Sequence, residues 1–144
     1  MKIDRRSILL LAAGAAVSPA VHLLPSTAFA AVEDVEKRIA EFSGGQTPEA
    51  GKITLTAPEI AENGAIVPLE ITSRIPNTES IYIFADKNPQ PLVAEFDFTG
   101  ATEPFVSTRI KMGETSKVRA IVKAGGKFYA TARDVKVTIG GCGG

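Results

Sequence analysis

Apolar residues recur every three or four positions across AVEDVEKRIAEFSGG, Ala31 to Gly45, which puts Val32, Val35, Ile39 and Phe42 on one face of a helix. Glu33 and Asp34 open this segment and Lys37 and Arg38 follow, the order a helix dipole favours. Gly44 and Gly45 stop it. The stripe has two possible destinations, the chain's own domain or a partner subunit, and the pattern alone does not choose.

After Thr47 the period changes to two. Ile53, Leu55 and Ala57 alternate in KITLTA, and Val67, Leu69 and Ile71 alternate in AIVPLEIT. Ile81, Ile83 and Ala85 share a face in SIYIFAD, and Ala94, Phe96 and Phe98 share one in LVAEFDF, opposite Glu95 and Asp97. FVSTRIKM alternates at Val106, Thr108, Ile110 and Met112. KVRAIVKA and KFYATAR flank Gly125-Gly126 and predict a hairpin. DVKVTI is expected to be the last strand, with Val135, Val137 and Ile139 inward. Turn signals punctuate the runs at Glu62-Asn63-Gly64, Pro76-Asn77, Asn88-Pro89 and Met112-Gly113. Seven or eight short strands in about 90 residues predict an all-β, immunoglobulin-like antiparallel sandwich, with a small barrel as the alternative. Pro58, Pro68 and Pro91 lie in or beside strands, which points to edges or bulges, because proline cannot donate to a ladder.

The residues before the helix are of another kind. MKIDRRSILLLAAGAAVSPAVHLLPSTAFA has a basic start (Lys2, Arg5, Arg6), an apolar middle and Ala28-Phe29-Ala30 as a small-residue cleavage site. The apolar stretch holds Pro19 and His22, which argues against a membrane anchor. Arg5-Arg6 followed by Ser7-Ile8-Leu9-Leu10 looks like a twin-arginine export signal, used by proteins that cross the membrane folded. The expected organisation is a cleaved leader over residues 1–30, a helix over 31–46, a sandwich over 47–139 and an arm over 140–144.

Cleavage changes the composition in a way that narrows function. The chain has 16 basic and 16 acidic residues; the leader takes three of the former and one of the latter, leaving 13 and 15. No strong pull toward nucleic acid or anionic lipid follows. The leader also takes His22, the only histidine. Without imidazole, neither a Ser-His-Asp nor a Cys-His site can be built from the remaining chain. One thiol is too few soft ligands for zinc or copper, so no metal and no resident cofactor are expected. The exported compartment, expected to be the periplasm, is oxidising, where an odd cysteine points to an intermolecular partner or a reactive thiol.

Charged pairs offer weaker signals. Glu33/Asp34, Glu59/Glu62 and Glu95/Asp97 are candidate acid pairs, the last about 6–7 Å apart along one strand face. Nothing basic or aromatic accompanies them, so solvated faces are expected. Arg109, Lys111, Lys117, Arg119 and Lys123 alternate with apolar residues and are expected on an outward sheet face; few aromatics interleave, which argues against nucleic acid.

That leaves TIGGCGG, where Cys142 stands between Gly140-Gly141 and Gly143-Gly144. Four glycines remove neighbouring side chains and local stiffness. Five residues beyond Ile139 reach about 16–18 Å when extended. A thiol on such a tether can enter a narrow cleft of another protein. Alone it is weakly reactive, because an ordinary cysteine with a pKa near 8.5 is only a few per cent thiolate at neutral pH. The tail therefore reads as a carrier arm with Cys142 as the covalent attachment point. The alternative is a structural or interaction domain whose Cys142 makes an intermolecular disulfide.

VKVTIGGCGG resembles the C-terminus of the SoxY family of thiosulfate-oxidation carriers. PEIAENGAIVPLEI (Pro58 to Ile71), RIKMGETSKVRAIVKAGGKFYATARDVKVTIGG (Arg109 to Gly141) and the twin-arginine leader are similar to that family as well. The resemblance implies a carrier rather than an enzyme, in a heterodimer with SoxZ, a smaller sandwich exported together with it. It further implies transient partners: a c-type cytochrome that couples thiosulfate to Cys142, a metal-dependent hydrolase that releases sulfate, and a sulfane dehydrogenase. Their cofactors would belong to those partners.

Overall fold

The computed structural model of the chain describes the backbone of residues 28–139 and the side-chain surroundings of residues 35–139. The leader therefore lies almost wholly outside the described residues, and so does the arm at 140–144. Helix α1 spans Ala28–Phe42, so it begins before position 31 and places Glu33 and Asp34 in the second turn instead of the first. Its end is closed as the glycines predict. The Gly45 N–H bonds to the Ala40 carbonyl at 2.8 Å and the Gly44 N–H to Glu41 at 3.4 Å, with Gly44 at φ 63°. That left-handed turn costs a Cβ-free residue nothing.

Nine strands follow among the described residues: β1 (Glu49–Ala50), β2 (Ile53–Thr56), β3 (Ile60–Ala61), β4 (Val67–Ser73), β5 (Thr78–Ala85), β6 (Leu92–Asp97), β7 (Phe105–Ile110), β8 (Ser116–Ala124) and β9 (Lys127–Val137). They form two layers, an immunoglobulin-like sandwich. The larger sheet runs β1-β9-β8-β5-β6, with β3 added along β9, and the smaller runs β2-β4-β7. Every pairing is antiparallel except the two short ones of β1 and β3 with β9.

Alternation sets the core. Val67, Leu69 and Ile71 of β4 meet Ile81, Ile83 and Ala85 of β5 and Val118, Ala120 and Val122 of β8, all buried. β5 and β8 are also covered on their outer face. Val35 and Ile39 of α1 pack on Phe84, Ile121 and Phe128, and the Phe42 ring lies 4.6 Å from Tyr82 and 5.3 Å from Phe128 between centroids. Burial of each such side chain is worth roughly 1.5–3 kcal/mol. The described part of the helix stripe, Val35, Ile39 and Phe42, is thus satisfied by its own domain, the first of the two destinations the sequence left open. It also explains why SIYIFA reads as nearly continuous apolar sequence: β5 is buried on both sides.

One ionic clamp joins helix to sheet. Arg119 of β8 meets buried Asp86, with Nε–Oδ1 at 2.9 Å and Nη2–Oδ2 at 2.8 Å, and its Nη1 reaches Glu36 of α1 at 2.6 Å. The Asp86 hydrogen bonds raise the Arg119 pKa above its already high ordinary value, with burial acting the other way. A raised cationic pKa contributes stability below the unfolded value and loses it only as pH rises through the folded one. The clamp therefore stays intact across the neutral range.

Two expectations about the last strand need correction. KFYATAR and DVKVTI are one strand, β9, whose register with β8 is unbroken from Ala124↔Lys127 to Ser116↔Val135. Asp134 interrupts the apolar pattern because it faces Lys117 across the ladder at 3.2 Å, not because the strand ends. Ile139 is 66% exposed rather than inward, since β9 ends at Val137 and the chain has by then left the sandwich edge.

Gly51 sits where a Cβ would lie 2.8 Å from the Tyr129 Cβ and 2.9 Å from the Ile75 Cδ1. Tyr129 Cβ cannot swing aside, so Gly51→Ala is expected to cost about 1–3 kcal/mol, read from the denaturant midpoint. Asp86→Ala leaves Arg119 without its buried partner and is expected to cost about 3 kcal/mol, the low end for a buried pair. Glu36→Gln, at the exposed arm of the same clamp, is expected to cost less than about 1 kcal/mol in the same assay.

Candidate functional site

The site is built from the root of the arm outward. β3 lies parallel to the end of β9, with Ile60 opposite Lys136 and Ala61 opposite Val137. The Lys136 N–H donates to Glu59 at 2.9 Å and the Thr138 N–H to Ala61 at 3.1 Å. The Thr138 hydroxyl reaches the Glu62 carbonyl at 3.2 Å, and Thr115 Oγ1 accepts from the Val137 N–H at 2.9 Å. At the last described residue, the Ile139 carbonyl accepts from the Gly64 N–H at 2.9 Å.

Gly64 is itself fixed. Asn63 Oδ1 accepts from the Ala65 N–H at 2.9 Å, a side-chain-closed turn that asparagine makes readily. The Gly64 carbonyl accepts from the N–H of fully buried Met112 at 2.7 Å. The backbone is therefore held up to the Ile139 carbonyl, and the next residue is Gly140. Ile60, Ile66 and Ile139 are exposed around this root. Gly140, Gly141, Cys142, Gly143 and Gly144 lie outside the described residues.

Of the acid pairs, Glu59/Glu62 and Glu95/Asp97 do not converge, and the side chains of Glu33 and Asp34 lie outside the described residues. Glu59 and Glu62 contribute backbone carbonyls that hold the end of β9 while their side chains are exposed. Glu95 and Asp97 lie exposed along edge strand β6, where Asp97 accepts the Ser80 hydroxyl at 2.6 Å. The basic residues divide. Lys117 pairs with Asp134, Lys123 with Glu79 at 3.3 Å, and Arg119 with Asp86 and Glu36. Arg109 and Lys111 enter no ion pair among the described residues.

Two features escape sequence reasoning. Glu62-Asn63-Gly64 reads as a turn, but nothing local says that its glycine N–H will hold the end of β9, some seventy-five residues away. Arg119 reads as one more outward base, and only the fold brings Asp86 beneath it.

The last strand is pinned up to Ile139, and the cysteine follows three residues further on in the sequence. The family model for sulfur oxidation protein SoxY matches residues 39–142, ending on Cys142, and the chain belongs to the SoxY family. A similar solved structure is the sulfur carrier protein SoxY from Chlorobium limicola f thiosulfatophilum, 40% identical, covering 74% of this chain and 94% of that one with a TM-score of 0.68. No curated protein matches the chain.

Thr138→Val removes the hydroxyl bond to Glu62 at an exposed position and is expected to cost about 0.5 kcal/mol. Faster hydrogen exchange at the Gly64 and Thr138 amides, with the β8 amides unchanged, is the local signature that checks it.

Proposed function

We propose that the protein is a covalent carrier of sulfur intermediates in periplasmic thiosulfate oxidation, not an enzyme in its own right. The observation that supports this most is the junction at Ile139: the backbone is hydrogen-bonded to its last described carbonyl, and the four glycines around Cys142 begin at the next residue. The solved relative is itself a sulfur carrier protein. A held root gives partner enzymes a defined origin, and a thin arm gives the thiol reach into their clefts.

The chemistry assigned to Cys142 is sulfur-to-sulfur bonding. The thiol and thiosulfate would join as Cys–S–S–SO3⁻, releasing a proton to solvent and two electrons that a c-type cytochrome would take up one at a time. Water then attacks the sulfonate sulfur in a metal-dependent hydrolase, releasing sulfate and leaving a persulfide on Cys142. A sulfane dehydrogenase oxidises that remaining sulfur while it stays attached. A hydroxyl in place of the thiol would not support the first step. Gly140, Gly141, Gly143 and Gly144 supply slenderness, SoxZ is the heterodimer partner, and export follows a twin-arginine leader ending at Ala30.

Exposure to thiosulfate and the coupling cytochrome is expected to raise the mass of the Cys142 peptide by one thiosulfate unit. Cys142→Ala is expected to take no adduct and to support no sulfate release. Full sulfate yield from that variant would overturn the carrier reading.

A further inference from the structure

We propose that Asn63 is a site of self-modification: its carboxamide closes on the Gly64 nitrogen, and the hydrogen bond from Gly64 to Ile139 is the latch that sets how often. The product, an isoaspartate, keeps that latch open. This chemistry belongs to the backbone itself and goes beyond the carrier reading.

The chain has three asparagines, and only one is placed to react. Ring closure uses the nitrogen of the next residue. Asn88 precedes Pro89, which has no N–H to give up. Asn77 precedes Thr78, whose branched side chain crowds the approach. Asn63 precedes Gly64, where no side chain stands in the way. Asn63 is also exposed to water, the second reactant.

The turn brings the reacting groups together. Asn63 Oδ1 accepts from the Ala65 N–H at 2.9 Å, which folds the carboxamide over the 63–64 peptide. The same bond sets a donor on the oxygen that becomes negative when the carboxamide is attacked, an arrangement that stabilises developing charge. One contact opposes the reaction. The Gly64 nitrogen must lose its proton to attack, and that N–H is donated to the Ile139 carbonyl at 2.9 Å. Gly64 is buried there, and its own carbonyl is held by the Met112 N–H at 2.7 Å. Reaction is therefore confined to molecules in which the latch has opened. Ile139 is exposed, so the latch lies at the margin of the fold, where local opening costs least.

The steps balance without an oxidant or reductant. The Gly64 nitrogen bonds to the Asn63 side-chain carbon. The side-chain carbon–nitrogen bond breaks, and ammonia leaves with the proton that Gly64 gave up. Water then opens the cyclic imide. Attack at the side-chain carbonyl yields aspartate with an ordinary backbone. Attack at the backbone carbonyl yields isoaspartate, which routes the chain through Cβ and adds one methylene to it. That insertion displaces the Gly64 N–H from Ile139, and the new carboxylate follows directly on Glu62. The bonds of Lys136 to Glu59 and of Thr138 to Ala61 lie before the insertion and persist. The pinned backbone then ends at Thr138, one residue earlier than in the unmodified chain.

Trypsin puts the three asparagines on separate peptides, Ile53 to Arg74, Ile75 to Lys87 and Asn88 to Arg109. The full chain is held at mildly alkaline pH and these peptides are weighed over time. The first is expected to gain the mass difference between an amide and a carboxyl group and to be labelled by an isoaspartate methyltransferase, while the other two stay unchanged. The chain unfolded in urea is expected to convert its Asn63 peptide severalfold faster. Thr138→Val, which loosens the root, is expected to convert about twofold faster in the folded state. Aged protein is expected to lose hydrogen-exchange protection at Gly64 and keep it at Thr138. Asn63→Ser can keep the turn but cannot close the ring, and it is expected to age without change. An unconverted Asn63 in the folded chain overturns the site. Conversion at the urea rate, or a Thr138→Val rate equal to wild type, overturns the latch. A converted peptide with Gly64 still protected overturns the effect on the root. None of these readouts involves the thiol, so the carrier reading stands or falls separately.

Discussion

The ladder between β8 and β9 carries this structure. β9 is the longest strand described, it bonds β8 along nearly its whole length, and it adds β1 at its start and β3 at its end. Its register is set at the far end by Gly125 and Gly126, both at positive φ (56° and 75°), in a two-residue turn whose twist matches that of the strands. A slip of one position would turn Val135 and Val137 to solvent and Phe128 away from the helix. The burial of those three side chains therefore fixes where Ile139 comes to rest, on the edge facing Gly64. Placement of the arm root is a consequence of core packing.

The covering helix serves the same end from the other side. β5 is buried on both faces and β8 is covered on its outer face at Ile121, so neither can shift there without opening two interfaces at once. Arg119 ties α1, β8 and the end of β5 through Glu36 and Asp86. Rigidity in this part of the molecule contrasts with the open flank between β6 and β7, where edges are unpaired and aromatic side chains stay half-exposed. In the carrier reading, that contrast is a division of labour. A stiff sheet holds the origin of the arm, and the chemistry is left to the thiol and to the proteins it visits.

Much of the fold was legible because alternation reports burial directly. Val67, Leu69 and Ile71 could only face one way in a two-layer sandwich, and the glycine pairs could only be a helix stop and a hairpin turn. The misreadings share one cause. KFYATAR and DVKVTI read as two strands because the partner of Asp134, Lys117, is distant in sequence. Ile139 looked like a core residue because period counting does not know where a sheet ends. Pro68 read as an edge residue, yet it sits in the middle strand of the smaller sheet; the ladder with β2 reaches only Thr56↔Glu70, so the proline lies past the end of its neighbour.

The candidate site divides along the same line. The place of the only histidine in the expected leader, the single thiol and the glycines around it are matters of composition and order, and they alone marked Cys142 as the candidate reactive group. Which atoms hold the root, and which of the five alternating bases find acidic partners among the described residues, depended on contacts between residues far apart in the chain. Hydrogen bonds from Gly64 to Ile139 and from Met112 to Gly64 exist only after β3, β7 and β9 are brought together. Local sequence determined which residue the carrier reading rests on; long-range packing decided where the pinned backbone before it ends.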